Sequence, residues 1–437
     1  MARLCLAALD VLAVAPALAQ EHAEQDAPEL VSPALQVLPS KLLRSLTSSF
    51  CLVRERSCFQ MFIIMIFGRI ISMKKQITLV ITEQCNLNCT YCYENHKSQK
   101  AMQFQTAKSI LDKEFENEAE YEEITIDLFG GEPFLQFDLI KKIEEYIMSL
   151  NLTTSTRIFL TTNGTLIHGV IQEWLRKKKD HVICGLSYDG TSMVQDMNRS
   201  NSSKLIDLDF FREVYPQQGL KATISAESLP YLFDSMRYLH EKGFEVSCNL
   251  AYNIDWSSST NMDVLQRELS KLIEYYINNP QIEPCSLLNQ DIDYLAHFDI
   301  KHPVRKSYCG AGVNMKAYDV NGDAYPCQFF LPLSIGAEKS ALSRNLHFYH
   351  DTIPEEVIEE KCKECTIYPL CPNCFGANYA STGDMFKHDD DYCKLTKIII
   401  KARSFFKAKQ WELGQLHLTK EAESILLKSI QMIQESL

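Results

Sequence analysis

The stretch TEQCNLNCTYCYE, Thr82 to Glu94, sets Cys85, Cys89 and Cys92 within eight residues, directly after an apolar run, Gln76 to Ile81, that reads as a buried strand. Thiolates three and four residues apart on a loop can converge on one face of a compact inorganic cluster, and cysteine thiolate is the usual iron ligand in iron–sulfur centres. Three such ligands leave one metal corner open for something else to bind. A zinc knuckle is the competing reading, and it wants a fourth protein ligand, for which the later cysteines are available.

Beyond this loop the chain alternates strand and helix. Strands are predicted at 76–82, 123–129, 156–162, 181–187, 220–226 and 244–251, with helical periodicity at 104–118, 138–150, 166–178, 207–215, 229–242 and 261–278. Alternation of this kind implies an α/β fold with a parallel sheet and right-handed crossovers, and six units point to a partial (β/α)6 barrel of TIM type. Chemistry is then expected where strands end. The cysteine loop follows the first strand, Gly130-Gly131-Glu132-Pro133 the second, Thr162-Asn163-Gly164 the third, and Ser187-Tyr188-Asp189-Gly190 closes the fourth. The glycines permit close approach of backbone to a ligand, and Glu132 can meet a positively charged amine. Asn163-Gly164 reads as a structural turn. Arg199 reads either as a partner for a carboxylate or as a solvated surface charge.

The C-x-x-x-C-x-x-C spacing, with Tyr91 just before its last cysteine, resembles the signature of the radical SAM superfamily. The resemblance implies a 4Fe-4S cluster on Cys85, Cys89 and Cys92, with S-adenosyl-L-methionine chelating the open iron through its amino and carboxylate groups. Cleavage of the sulfonium then gives methionine and a 5′-deoxyadenosyl radical that abstracts hydrogen from substrate, while the protein positions the cofactors. In the same resemblance Gly130, Gly131, Glu132 and Pro133 form the turn whose backbone contacts the methionine amino group. Ser187 reaches the ribose or methionine end, Arg199 pairs with the cofactor carboxylate, and Tyr91 joins this cofactor-binding set.

Composition bounds the rest. A chain of 437 residues has room for about two or three domains and a large core, and 46% hydrophobic with 23% charged residues is globular. The net charge of -12 argues against a nucleic-acid partner. The apolar patch Met61 to Ser72 is broken by Arg69 and too short to span a bilayer, so no membrane is expected. Ten of the sixteen cysteines fall in the Cys85–Cys92 loop or from Cys309 onward, and close C-x-x-C pairs suit structural disulfides poorly. They read as metal ligands of a cytoplasmic protein. Cys184 and Cys248, inside strands, read as buried apolar residues.

Residues 252–308 read as a linker and lid with one amphipathic helix. Asn321-Gly322, between the β-prone runs Met315–Val320 and Ala324–Phe330, signals a hairpin that brings Cys309 and Cys327 to one end. Then come Cys362-x-x-Cys365, five residues, Cys371-x-x-Cys374, and Cys393. Five residues is cramped for a zinc ribbon, whose knuckles stand about 15–20 residues apart, so the seven cysteines divide better between two centres. This arrangement resembles the SPASM extension of radical SAM enzymes, which holds auxiliary 4Fe-4S clusters, making three clusters in all. It implies Cys309, Cys327 and Cys374 around the first auxiliary cluster and Cys362, Cys365, Cys371 and Cys393 around the second. Fully ligated relatives carry another cysteine shortly before the position of Cys309. Here Arg305 and Ser307 occupy that region, leaving an open iron or a fourth bond from Cys285.

The expected organisation is an N-terminal extension over 1–72, the radical SAM partial barrel over 73–300, a small SPASM domain with its β-hairpin over 301–395, and C-terminal helices over 396–437. Met1 to Ala19 is similar to a secretory signal, yet Asp10 interrupts its apolar region and Met73-Lys74-Lys75 would make an ordinary start of translation. The extension is therefore read as a start-site artefact without a part in the chemistry. SPASM clusters imply a peptide or protein substrate and an electron donor such as flavodoxin or ferredoxin. Two family members compete. A maturase of ribosomally made precursor peptides joins a cysteine sulfur to carbon as a thioether. An anaerobic sulfatase maturase makes formylglycine, but it places an aspartate after the cysteine matching Cys327, where this chain has Gln328, and an amide cannot take that proton. A zinc-bearing scaffold without catalysis is the reading from outside enzymology.

Overall fold

Ile77 to Thr82 is buried at every position, as a parallel strand covered on both faces must be. A computed structural model describes residues 74–299, 305–349 and 352–437. The N-terminal extension and the expected boundary at 300/301 lie outside them.

Six parallel strands follow in order: β1 (Lys74–Thr82), β2 (Glu123–Gly130), β3 (Ser155–Thr162), β4 (Val182–Leu186), β5 (Leu220–Ile224) and β6 (Val246–Leu250). Strands β1 to β4 pair with their sequence neighbours, β5 pairs with β6, and a single parallel bridge from Ser187 to Lys221 carries the curve from β4 to β5. This is the partial barrel expected, an α/β fold with crossover helices α1 (Phe104–Phe115), α2 (Phe137–Ser149), α3 (Val170–Lys178), α4 (Ser192–Asn198), α5 (Leu208–Val214), α6 (Leu232–Glu241) and α7 (Ser259–Asn278). The longer of them turn an apolar stripe to the core. Ile140, Ile143 and Ile147 of α2, at helical spacing, are all at most 4% exposed.

The Asn321-Gly322 hairpin forms, with β7 (Met315–Tyr318) antiparallel to β8 (Ala324–Tyr325) and Gly322 at φ 92°. Its position was not foreseeable: β7 lies parallel to β1 from Gln76↔Met315 to Leu79↔Tyr318, so the hairpin extends the barrel sheet past its first strand. The second β-prone run stops at Tyr325, and Gln328–Phe330 turns into a 3-10 segment instead.

Short helices α8 (Pro332–Ile335), α9 (Ala337–Ser343), α10 (Glu360–Lys363) and α11 (Phe375–Thr382) cross the cysteine-rich region, and α12 (Asp390–Glu412) and α13 (Lys420–Ser436) close the chain. The boundary expected at 395/396 falls inside α12, whose first turn carries Cys393 and is capped by Asp389 accepting from the Tyr392 N–H. Among the described residues no helix is long and apolar enough to cross a membrane.

Candidate active site

The cysteine loop leaves β1 and is stitched to the turn after β2. Gly131 N–H donates to the Thr82 carbonyl at 3.1 Å and Glu132 N–H to the Gln84 carbonyl at 2.8 Å. That contact by itself requires both glycines. A Cβ on Gly130, which sits at φ 142°, would lie 2.0 Å from the Thr82 oxygen, and one on Gly131 2.2 Å from the Gln84 oxygen. Pro133 is buried as the first residue of the 3-10 turn that follows. The Glu132 carboxylate is 1% exposed and faces the next strand end: Oε1 accepts from Thr162 Oγ1 at 2.8 Å and from Phe134 N at 3.2 Å, and Oε2 from Asn163 N at 2.8 Å. Burial pushes its pKa up to about 7 against those bonds. Asn163 is structural, as read, with its amide tied to Asn86 and its oxygen to Thr165.

Arg199 is buried, which corrects the alternative of a solvated surface charge. Its Nε lies 3.0 Å from Asp189 Oδ1, and its guanidinium stands over the Tyr91 ring, 5.4 Å from the centroid. Burial works against the arginine's charge, yet Asp189, Tyr91 and Cys89 outweigh it and hold it cationic. Asp189 is the residue that sequence reasoning passed over. Fully buried, its Oδ2 accepts from the Tyr91 hydroxyl at 2.6 Å and from Asn198 Nδ2 at 3.0 Å, and its Oδ1 also accepts from Thr223 N at 3.1 Å. It therefore joins the cysteine loop, α4 and β5. The SYDG quartet contained the signal, since an acid at a strand end beside a downstream arginine invites pairing.

These turns enclose a cavity of about 450 Å³. Cys85, Cys89 and Cys92 line it together with Tyr91, Gly130, Gly131, Glu132, Ser187 and Arg199. Burial raises the Cys85 thiol to about 11 and raises Cys89 as well, so cations must favour their thiolate forms. Lys97 supplies one, its Nζ 3.4 Å from Cys92 Sγ, and Arg199 acts on Cys89. Glu94, also lining the cavity, is buried with Oε1 unpartnered among the described residues, and burial lifts its carboxyl to about 8. Nothing in its position after Cys92 and Tyr93 marks it except its charge. Tyr308 and Phe329, next to Cys309 and two residues past Cys327, line the same cavity.

Aromatic rings continue from there. Tyr93 stacks on Phe329 with centroids 4.3 Å apart, Tyr252 meets Phe329 edge-on at 5.7 Å, and Tyr252 stacks on Tyr392 at 5.0 Å. The later cysteines fall into two groups. Burial raises the Cys327 and Cys374 thiols first, with Cys374 and Cys309 adding to it at Cys327 and Cys309 at Cys374. Separately, burial raises Cys362 and Cys371, with Glu359, Cys365 and Cys393 adding to it at Cys362 and Cys393, Cys365 and Cys362 at Cys371. The thirteen described cysteines are all free thiols, a donor set that fits metal clusters. Cys285 sits elsewhere, fully buried with its N–H on the Tyr276 hydroxyl at 3.1 Å and Cys248 and Arg403 for neighbours. Arg305 is buried too, donating to the Lys363 carbonyl, while the Ser307 hydroxyl donates to that of Tyr349.

The Radical SAM superfamily model matches residues 79–255. An uncharacterised protein of Methanocaldococcus jannaschii is 31% identical over 240 residues, 51% of this chain and 82% of that one. A cysteine-type anaerobic sulfatase-maturating enzyme of Clostridium novyi is 22% identical over 362 residues, 74% of this chain and 94% of that one. Among solved structures, native anSMEcpe with bound AdoMet and Kp18Cys peptide has a TM-score of 0.59 at 17% identity, covering 79% of this chain and 100% of that one, a likeness of fold.

Proposed function

The chain belongs to the radical SAM superfamily, and on that premise we propose that it uses S-adenosyl-L-methionine to modify a ribosomally made, cysteine-containing precursor peptide, joining a cysteine sulfur to carbon as a thioether. The observation that carries this reading is one cavity lined both by the Cys85, Cys89 and Cys92 thiols and by Tyr308 and Phe329, close in sequence to Cys309 and Cys327. A substrate lying there would touch the first thiol group and the residues that neighbour the second in sequence.

In this reading Cys85, Cys89 and Cys92 hold the first 4Fe-4S cluster. Cys309, Cys327 and Cys374 hold an auxiliary one, and Cys362, Cys365, Cys371 and Cys393 another. When bound, the first cluster and S-adenosylmethionine supply a carbon radical that abstracts hydrogen from the peptide. The chain's own residues bind and orient. Lys97 offsets thiolate charge at Cys92, the Gly130-Gly131 backbone closes against the loop, and Glu132 keeps a lone pair for the methionine ammonium. Arg199 and Tyr91 are fixed by Asp189 beside Cys89, and Ser187 lines the far side. The partial barrel would carry the first centre, and the region from Cys309 to Cys393, whose hairpin extends the barrel sheet and whose last cysteine lies in α12, the auxiliary ones, with a flavodoxin or ferredoxin as electron donor.

The span of the Clostridium novyi enzyme favours a second reading, formylglycine formation on a sulfatase. Gln328 weighs against it, because its buried Oε1 has no partner among the described residues and an amide cannot accept the proton that step must release. Anaerobic purification with iron and sulfide counts tests the common core: about twelve irons per chain are expected for three clusters of four, and zinc in place of iron would leave the scaffold reading instead. Co-expression with a cysteine-rich precursor peptide should remove two hydrogens per crosslink, whereas formylglycine in a sulfatase peptide would replace this reading by the second. Cys85→Ala should abolish 5′-deoxyadenosine, while Cys309→Ala should spare part of it and abolish peptide product. Equal loss in both would refute that division of labour.

A further inference from the structure

His388 Nδ1 lies 3.5 Å from Cys362 Sγ, and both residues are buried. The ring is held there by the segment that carries the thiol. The His388 N–H donates to Glu359 Oε2 at 3.0 Å, and its carbonyl accepts from Lys361 Nζ at 3.1 Å. Lys361 in turn pairs with Glu359 at 3.3 Å and with Asp390. Five residues on from His388 comes Cys393, whose N–H donates to the Asp389 carbonyl at 3.0 Å, so one short segment delivers an imidazole and a thiol to the same group. His388 Nε2 is buried without a partner among the described residues, and the ligating atoms of Glu359, Cys362 and His388 lie within 4.8 Å of one another.

We propose that His388 is a positioning residue that donates its Nδ1–H to the Cys362 sulfur and raises the reduction potential of the centre built on Cys362, Cys365, Cys371 and Cys393. The proposal rests on the cluster assignment made above. A metal-bound thiolate accepts and cannot donate, so the imidazole carries its proton on Nδ1. A donor to cluster sulfur stabilises the reduced, more negative state more than the oxidised one. Glu359 acts on Cys362 in the opposite sense, and Lys361, paired with Glu359, offsets that charge.

The test is an EPR-monitored redox titration of the full chain, with this centre's signal identified by its loss in Cys371→Ala. His388→Leu should move the midpoint to more negative potential at unchanged iron and sulfide content. His388→Asn, which retains an N–H near the position of Nδ1, should stay close to the parent value. An unmoved midpoint in the leucine variant at full iron content overturns the proposal, as does an asparagine variant displaced as far as the leucine one. Should the leucine variant lose iron, the asparagine variant arbitrates: full iron at the parent potential supports the bond, and a displaced potential overturns it. Zinc bound in place of iron and lost with His388 would overturn the cluster assignment and the proposal together, an outcome distinct from a full iron content with an unmoved potential.

Discussion

Asp189 shows how much one buried acid organises. Four groups converge on it from the cysteine loop, α4, the loop after α4 and β5. Asp189→Asn leaves the Arg199 guanidinium buried and uncompensated, so a loss of about 3–5 kcal/mol is expected, read as a lower urea midpoint. Gly131→Ala forces a Cβ against the Gln84 carbonyl oxygen, 2.2 Å away. A loss of about 1–3 kcal/mol is expected from that overpacking, together with a reduced iron count at the first centre. Asp127, inside the barrel near Lys221, has its carboxyl raised to about 6 by burial, with Lys221 and Gln76 pulling the other way. The folded chain thus keeps a proton that the unfolded chain releases near pH 4. The associated stability is complete below about pH 4 and is lost as pH rises to about 6. Urea midpoints of the metal-free protein should show that decline, and Asp127→Asn should flatten it. Only the Asp189–Arg199 pair left a cue in sequence, an acid at a strand end ten residues before an arginine; the Gln84 contact of Gly131 and the Lys221 neighbour of Asp127 left none, because those partners lie far along the chain.

Helices and strands were legible where they were long. The six strands and the helices α1 to α3 and α5 to α7 follow from apolar runs or a helical period, since each must bury an apolar face in the core. In α4 the buried residues are Val194, Gln195 and Asn198, too polar for an apolar period to register, yet Thr191 caps it and Gln195 accepts from the Asp189 N–H. Helix α7, read as part of a polar lid, instead packs its buried Leu265, Leu269 and Leu272 in the main core, with α12 beside it. Leu272→Ala should cost about 2–5 kcal/mol, measured by urea unfolding, with its stripe of leucines absorbing none of the cavity. A lid that merely covers the site would instead show a cost near zero.

Across the whole molecule, the curve of the sheet gathers four strand ends on one rim, and the hairpin laid along β1 extends that sheet beside the rim. The rings of Tyr93, Phe329, Tyr252 and Tyr392 join the two cysteine regions into one packed surface. From the sequence alone follow the barrel, the thiol trio after its first strand, the hairpin and the family, because each is written in local spacing or periodicity that needs no partner to be read. Tertiary structure alone decided that β7 joins β1, that the two glycines exist to let one turn close on another, that Arg199 is buried on Asp189, and that His388 stands against Cys362. Apart from Arg199 and Asp189, ten residues apart, those are contacts between segments distant along the chain, and in all of them packing and desolvation, rather than local propensity, choose the partner.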